Sequence, residues 1–150
     1  MPKTVFLLTL IVTLPMFAAP VISEFMASNE TTLADEDGDF SDWIEIYNPG
    51  DEAVDLGGYF LTDNAEVLNR WVFPMTTLEA GEWLVVFASG KDRDVGEFHT
   101  DFKLAAGGES LALVAPDGVT ILSEFGSPYP PQFEDKTFGV GDFGTGYLDE

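Results

Sequence analysis

Hydrophobic and polar residues alternate in short segments along this chain, and no window after Ala19 repeats with a helical period. The clearest segment spans residues 42–48. Within it Ile44 and Ile46 fall on one face and Trp43 and Tyr47 on the other, because successive side chains of a strand point to opposite sides. Large apolar groups on both faces are atypical of an exposed edge. We therefore predict a strand inside a sheet, with at least one face in the core.

Turn residues separate such segments at intervals of roughly 8–12 residues, a spacing typical of an antiparallel β-sandwich or barrel. Residues 83–88 form the longest apolar run after Ala19, and its lack of alternation predicts burial on both faces. The sequence thus predicts an all-β fold. The predicted strands lie at residues 21–27, 42–48, 53–56, 59–62, 70–73, 83–88, 99–104, 111–115, 119–125 and 133–138.

Residues 1–19 have the pattern of a secretory signal peptide. Lys3 gives a small positive region, residues 5–14 form an apolar run, and small residues follow Pro15. The run is shorter than the roughly 20 apolar residues that a spanning helix needs. The alternative is a buried N-terminal helix or an anchor. We predict export, with no stable membrane span once the signal peptide is removed.

Charge and composition exclude several functions. The net charge of −21 disfavours nucleic-acid binding, which depends on phosphate neutralisation by Lys and Arg. The chain has no cysteine, which excludes disulfides, thiolate catalysis and zinc–thiolate sites. A hydrophobic content of 45% argues against disorder. We predict one folded domain over residues 20–140 and a Gly-rich tail or linker over residues 141–150, in a natural chain that continues past Glu150.

The acidic stretch before the central strand is a candidate Ca²⁺ site, because Ca²⁺ takes six to eight oxygen ligands. The candidate ligands are Asp35, Asp37, Asp39 and Asp42. The stretch lacks the EF-hand pattern, since Phe40 stands where that loop needs its glycine. The alternative is a solvated acidic loop with no metal. No other cofactor is predicted.

Catalytic and aromatic sites have fewer candidates. His99 is the sole histidine, and no nucleophile elbow accompanies it, so we predict a loop histidine and no enzyme. Tyr47 and Trp71 are candidates for an exposed surface that binds a sugar or a peptide. Trp83 is predicted to lie in the core.

The order of these segments resembles that of a lamin tail domain, in particular its bacterial, secreted members. The resemblance covers about residues 21–140. It rests on the motifs DWIEIYN (42–48), VDLGGYFLTD (54–63), RWVFP (70–74), TLEAGEW (77–83), FASGKD (87–92), HTDFKL (99–104) and GGESLAL (107–113).

The resemblance implies an immunoglobulin-like β-sandwich that acts as a non-catalytic interaction module with a protein or cell-surface partner. The coiled-coil rod of nuclear lamins is missing, since no heptads occur. The basic surface that chromatin contact needs is missing as well. Two alternatives remain: a Ca²⁺-dependent or glycan-binding adhesion domain, and the targeting part of a larger secreted enzyme.

Overall fold

The computed structural model describes residues 18–141 and 144–148, and over these ranges the chain is all-β, with twelve strands. Most of the predicted signal peptide, residues 1–17, lies outside the described residues. Within the described part, no helix is long and apolar enough to cross a membrane. The strands are β1 (Val21–Met26), β2 (Asp42–Tyr47), β3 (Val54–Asp55), β4 (Phe60–Thr62), β5 (Trp71–Val72), β6 (Thr77–Leu78), β7 (Trp83–Ala88), β8 (Phe98–His99), β9 (Leu111–Val114), β10 (Ile121–Phe125), β11 (Thr137–Gly141) and β12 (Gly144–Leu148).

The strands form two main sheets and one small one. The larger sheet has the order β12-β11-β1-β2-β7-β8, and the second has the order β10-β9-β4-β5. Strands β3 and β6 pair as a separate two-stranded sheet. All pairs are antiparallel except β7 with β8. The predicted all-β sandwich is confirmed, and β2 lies in the interior of the larger sheet as expected.

The core lies between the two main sheets. Ile44 and Ile46 of β2 are fully buried there, as their shared face predicts. Leu111 and Leu113 of β9 approach from the opposite sheet. Phe25 of β1 packs its ring against three other aromatic rings, which come from Phe125, Tyr129 and Phe138.

The outer face of the larger sheet carries a second, smaller cluster. Met26, Trp43 and Phe87 are buried there on neighbouring strands. Thr32, in the connection between β1 and β2, donates a hydrogen bond to Met26 Sδ at 3.2 Å. This connection therefore covers one end of the outer face, the end at which β7 finishes.

The C-terminal part differs from the sequence prediction. The composition predicts a flexible tail over residues 141–150, but Gly144–Leu148 form β12 and pair with β11. Glycine is depleted in strands, so composition alone indicates a linker. Gly139 of β11 lies so close to β1 that an added Cβ would be 2.5 Å from the Ser23 carbonyl oxygen. The hairpin of β11 and β12 thus packs tightly against β1.

Candidate functional site

The acidic loop between β1 and β2 is organised by the carboxylate of Asp35, whose side chain is inaccessible to solvent. Its Oδ1 accepts hydrogen bonds from the backbone N–H groups of Asp37 at 3.1 Å and Asp39 at 3.0 Å. Its Oδ2 accepts a hydrogen bond from the Ser41 hydroxyl at 3.1 Å. Gly38, with a φ of 84°, allows the turn that brings these donors together.

Lys91, from the loop after β7, places its ammonium among three carboxylates of this loop. Its Nζ lies 2.6 Å from Asp35 Oδ2, 2.7 Å from Asp37 Oδ2 and 2.9 Å from Asp39 Oδ2. Arg93 adds ion pairs to Asp37 at 2.7 Å and to Glu36 at 3.1 Å. The acidic loop and the β7–β8 loop are thereby joined by five ion pairs.

These contacts change the acidities of the groups involved. Hydrogen bonds from Arg93 and Lys91 lower the pKa of Asp37 to about 2. Burial opposes ionisation of Asp35, but the hydrogen bonds from Lys91 and the backbone lower its pKa overall. Partial burial likewise opposes the charge on Lys91, yet its three carboxylate partners raise its pKa. All of these charges are therefore retained at neutral pH.

Three of the four predicted Ca²⁺ ligands come together in this loop. Carboxylate oxygens of Asp35, Asp37 and Asp39 lie within 4.8 Å of one another. Lys91 Nζ contacts the same three carboxylates, so a Ca²⁺ ion would have to displace it. Asp42 is not part of this group. Its carboxylate accepts a hydrogen bond from the Asn29 backbone N–H at 3.3 Å. The predicted Ca²⁺ site stays a prediction.

Asp42 instead lines a polar groove of about 460 Å³ at one end of the larger sheet. Lys103, Glu30 and Lys91 line the same groove. Burial is the main cause that raises the pKa of Asp42 to about 6, against the hydrogen bonds from the Asn29 and Leu104 backbones. The groove therefore holds a carboxyl group that titrates near neutral pH.

His99 is part of the packed structure and not of a loop. The ring is fully buried in β8 and stacks on Phe87 with the ring centroids 5.3 Å apart. Nδ1 lies 2.8 Å from Ser89 Oγ, while Nε2 has no hydrogen-bond partner among the described residues. Burial lowers the pKa of this histidine. A base in a Ser-His-Asp arrangement needs a carboxylate on the ring nitrogen opposite the serine, and the described part of the chain places none there.

The exposure of two tryptophans differs from the prediction. Trp71 is only 5% exposed and packs edge-on against Phe73 in the core, so the predicted exposure of Trp71 is wrong. Trp83, predicted to be in the core, is 59% exposed. It is the first residue of β7 and lies on the outer face. The β1–β2 connection covers the opposite end of this face, where β7 finishes. An apolar run therefore need not be buried along its whole length.

Tyr47, the other candidate, is half-buried and pairs directly with Trp83 across β2 and β7. Their rings stack with centroids 4.9 Å apart and an interplanar angle of 20°. We call these two residues the aromatic pair. The sequence signal for it is present, since Tyr47 lies on the face of β2 opposite Ile44 and Ile46, and Trp83 lies on the face of β7 opposite Val86.

Comparison with known proteins agrees with this architecture. No curated protein and no solved structure matches the chain. Residues 17–126, well over half of the chain, match the family model of the Lamin Tail Domain. Lamin tail domains are non-catalytic, immunoglobulin-like interaction domains, and the two-sheet, all-β fold is consistent with theirs. The chain therefore belongs to the lamin tail domain family.

Proposed function

We propose that this chain is an exported, non-catalytic interaction module that binds a protein or cell-surface partner through the outer face of its larger sheet. The observation that carries this proposal is the aromatic pair, in which Trp83 is 59% exposed although it already stacks on Tyr47. Exposed aromatic groups that are held rigidly supply contact area at little entropic cost on binding.

The residues that could support chemistry have structural contacts instead. Asp35, Asp37 and Asp39 are ion-paired with Lys91. His99 is stacked and buried. This distribution supports a binding role for the domain.

The binding role is tested with the mature protein, labelled and incubated with cells of the organism that produces it. We expect saturable binding that Trp83→Ala reduces strongly. Phe133→Ala is the matched control, because Phe133 is also 59% exposed but lies before β11. Equal binding by the two variants and the parent protein would contradict the proposal.

Export is tested separately. Residues 1–19 support it by their positive start, apolar run and small residues at the end. We expect the protein in the medium or on the cell surface, with its mature N-terminus near Pro20 when sequenced. Retention in the cytoplasm with an intact N-terminus would contradict it. The coding sequence downstream of Glu150 decides between a complete module and the front part of a larger secreted protein.

The Ca²⁺-dependent alternative has a direct test. If Ca²⁺ displaces Lys91 from the acidic loop, millimolar Ca²⁺ raises the melting temperature of the protein, since a ligand that binds only the folded state stabilises it. An unchanged melting temperature, with no heat of binding in calorimetry, eliminates this alternative.

A further inference from the structure

Among the residues that the structure describes, the aromatic pair is left open, because they cover only the other end of the outer face. Trp43 and Phe87 are buried at the end of the outer face where Thr32 of the β1–β2 connection contacts Met26, while Trp83 is exposed four residues before Phe87 on the same strand. Within β7, strand β8 pairs with Val86 and Phe87 and not with the described residues before them. Among the described residues, no strand lies on that side of residues 83–85, which form an open edge.

The backbone of this open edge points outward. The Asn48 backbone N–H donates to the Glu82 carbonyl oxygen at 3.0 Å, so the carbonyl group of Glu82 faces β2. Because these directions alternate along an antiparallel strand, the N–H and C=O groups of Trp83 and Val85 face away from β2. The Phe87 carbonyl follows the same alternation and accepts a hydrogen bond from the Thr100 backbone N–H on the β8 side. An extended segment can therefore add along residues 83–85.

The charge around the aromatic pair is negative. Asn48, which follows Tyr47 directly, holds three glutamates close to the pair through hydrogen bonds to their backbone carbonyls. Its side-chain Nδ2 donates to Glu52 at 2.9 Å and to Glu79 at 3.2 Å, and its backbone N–H donates to Glu82. All three glutamates are exposed. The surface beside the pair is therefore acidic.

The basic residues of the domain have positions elsewhere. Lys91 and Arg93 pair with the acidic loop at the far end of β7. Arg70 pairs with Asp63 in its own β4–β5 connection and with Asp101 after β8. Lys103 lines the polar groove at the same end as Lys91, and Lys136 directly precedes β11, on the opposite side of β1 and β2. A partner at the aromatic pair therefore meets an acidic surface and is favoured if it brings positive charge.

We propose that the aromatic pair and the exposed edge of β7 form a docking surface for an extended, arginine-bearing segment of a partner protein. An arginine guanidinium lies over the free face of the Trp83 indole, where the ring quadrupole attracts a cation. Glu52, Glu79 and Glu82 attract the remaining basic side chains. The segment pairs its backbone with residues 83–85. This inference rests on the proposed interaction role and specifies its partner.

The probe is a synthetic nine-residue peptide of alternating arginine and threonine, carrying a fluorophore and followed by fluorescence anisotropy with the mature protein. We expect binding that weakens roughly tenfold in Trp83→Ala, the range of one cation–π contact combined with lost stacking. Phe133→Ala should bind as the parent does. A peptide with glutamate in place of arginine should not bind.

Charge and geometry are tested by two further measurements. The triple variant Glu52→Gln, Glu79→Gln, Glu82→Gln should weaken peptide binding and reduce its dependence on salt, because fewer charge pairs are screened. Tyr47→Ala should weaken binding less than Trp83→Ala, since it removes only the support beneath the indole. Circular dichroism checks that each variant is folded.

The outcomes separate this inference from the proposed function. If Trp83→Ala abolishes binding to cells but no arginine peptide binds, the interaction role stands and the basic partner is overturned. Binding of a neutral cell-surface glycan at Trp83, with no response to the arginine peptide, also overturns it. If Trp83→Ala changes neither measurement, both the docking surface and the proposed function fail.

Discussion

At the scale of single residues, Lys91 is the clearest example of a side chain whose role depends on its partners. Its ammonium contacts three carboxylates, one of them the fully inaccessible Asp35. Taking a carboxylate out of water is costly unless it is paired and hydrogen-bonded. Lys91 therefore compensates the charge that the acidic loop concentrates, and it also ties this loop to the β7–β8 loop.

Replacing Lys91 by methionine should lower the free energy of unfolding by about 2 kcal/mol, because Asp35 then keeps a buried charge without its cation. The loss is below that of a fully buried pair, since Asp39 is solvated. Urea unfolding measures the effect. Lys103→Met, at an exposed lysine for which the described residues show no ion pair to this loop, should change the stability by less than about 0.5 kcal/mol. Equal losses in both variants would contradict the role of Lys91.

The carboxyl group of Asp42 gives a pH prediction with a definite sign. Its pKa is about 6 in the folded protein and near the ordinary 3.8 when unfolded. The folded state therefore holds the proton more tightly. The contribution of the protonated Asp42 carboxyl group to stability is fully present below the pKa of the unfolded state. It is lost as the pH rises through the pKa of the folded state.

Asp42→Asn removes this titration. We compare the free energy of unfolding of the variant with that of the parent. This difference should favour the variant by about 1 kcal/mol more at pH 7 than at pH 4, after allowance for partial solvation of the group. Thermal unfolding of both proteins between pH 4 and pH 7 provides the measurement. A stability difference that is constant across this range would show that Asp42 does not titrate as described.

At the scale of elements, the close packing of β11 against β1 depends on a glycine. A Cβ at Gly139 would lie 2.5 Å from the Ser23 carbonyl oxygen and 2.6 Å from Glu24 Cβ. Neither neighbour is the flexible end of a side chain, so the strands would have to separate. Gly146, directly opposite Gly139 on β12, has no described atom within 4 Å of its Cβ position.

These two glycines form a matched pair for a test of strand packing. Gly139→Ala should destabilise the protein by about 1–3 kcal/mol through overpacking. Gly146→Ala should be neutral or slightly stabilising, because alanine reduces the entropy of the unfolded chain and meets no described neighbour. Urea unfolding of both variants measures the change in their free energy of unfolding. A larger loss for Gly146→Ala would mean that β12 packs differently.

At the scale of the whole molecule, the folded unit extends beyond the part that matches the family. The match ends at residue 126, yet β1 pairs with β11, and Phe25 contacts the rings of Tyr129 and Phe138. Both rings are almost fully buried. Without them the core would be open to solvent beside β1.

Truncation tests this extent. A chain of residues 20–126 should fail to fold, because it loses β11 and two of the three rings on Phe25, those of Tyr129 and Phe138. A chain of residues 20–141 keeps both and should fold with a reduced stability. Circular dichroism and thermal unfolding distinguish the two. A cooperative transition in the shorter chain would show that residues 127–141 are an addition and not part of the core.

The strands are predictable from the sequence because alternation and turn residues are local properties. Residues 42–48 indicate both the strand and its core face, which Ile44 and Ile46 confirm. The order of motifs also indicates the family. The prediction is wrong at residues 144–148. Their Gly-rich composition is typical of a linker, but these residues form a strand because they pair with β11.

The candidate sites are less predictable, since they depend on which loops cover which surface. The carboxylates of Asp35, Asp37 and Asp39 are found from their spacing, but their cation, Lys91, is more than fifty residues away along the chain. The predicted exposures of Trp71 and Trp83 are the reverse of the observed ones, because an apolar strand does not specify where its neighbours end.

The amino-acid sequence alone determined that this protein is an acidic, cysteine-free β-sandwich of the lamin tail type, because composition, alternation and turns act over short distances along the chain. Tertiary structure decided which residues are left open for a partner. It buried Trp71 between the sheets, left Trp83 exposed beside Tyr47 in the described part of the chain, and placed the ammonium group of Lys91 among the carboxylates of the acidic loop. Such exposure and pairing depend on contacts between distant segments, which no local pattern contains.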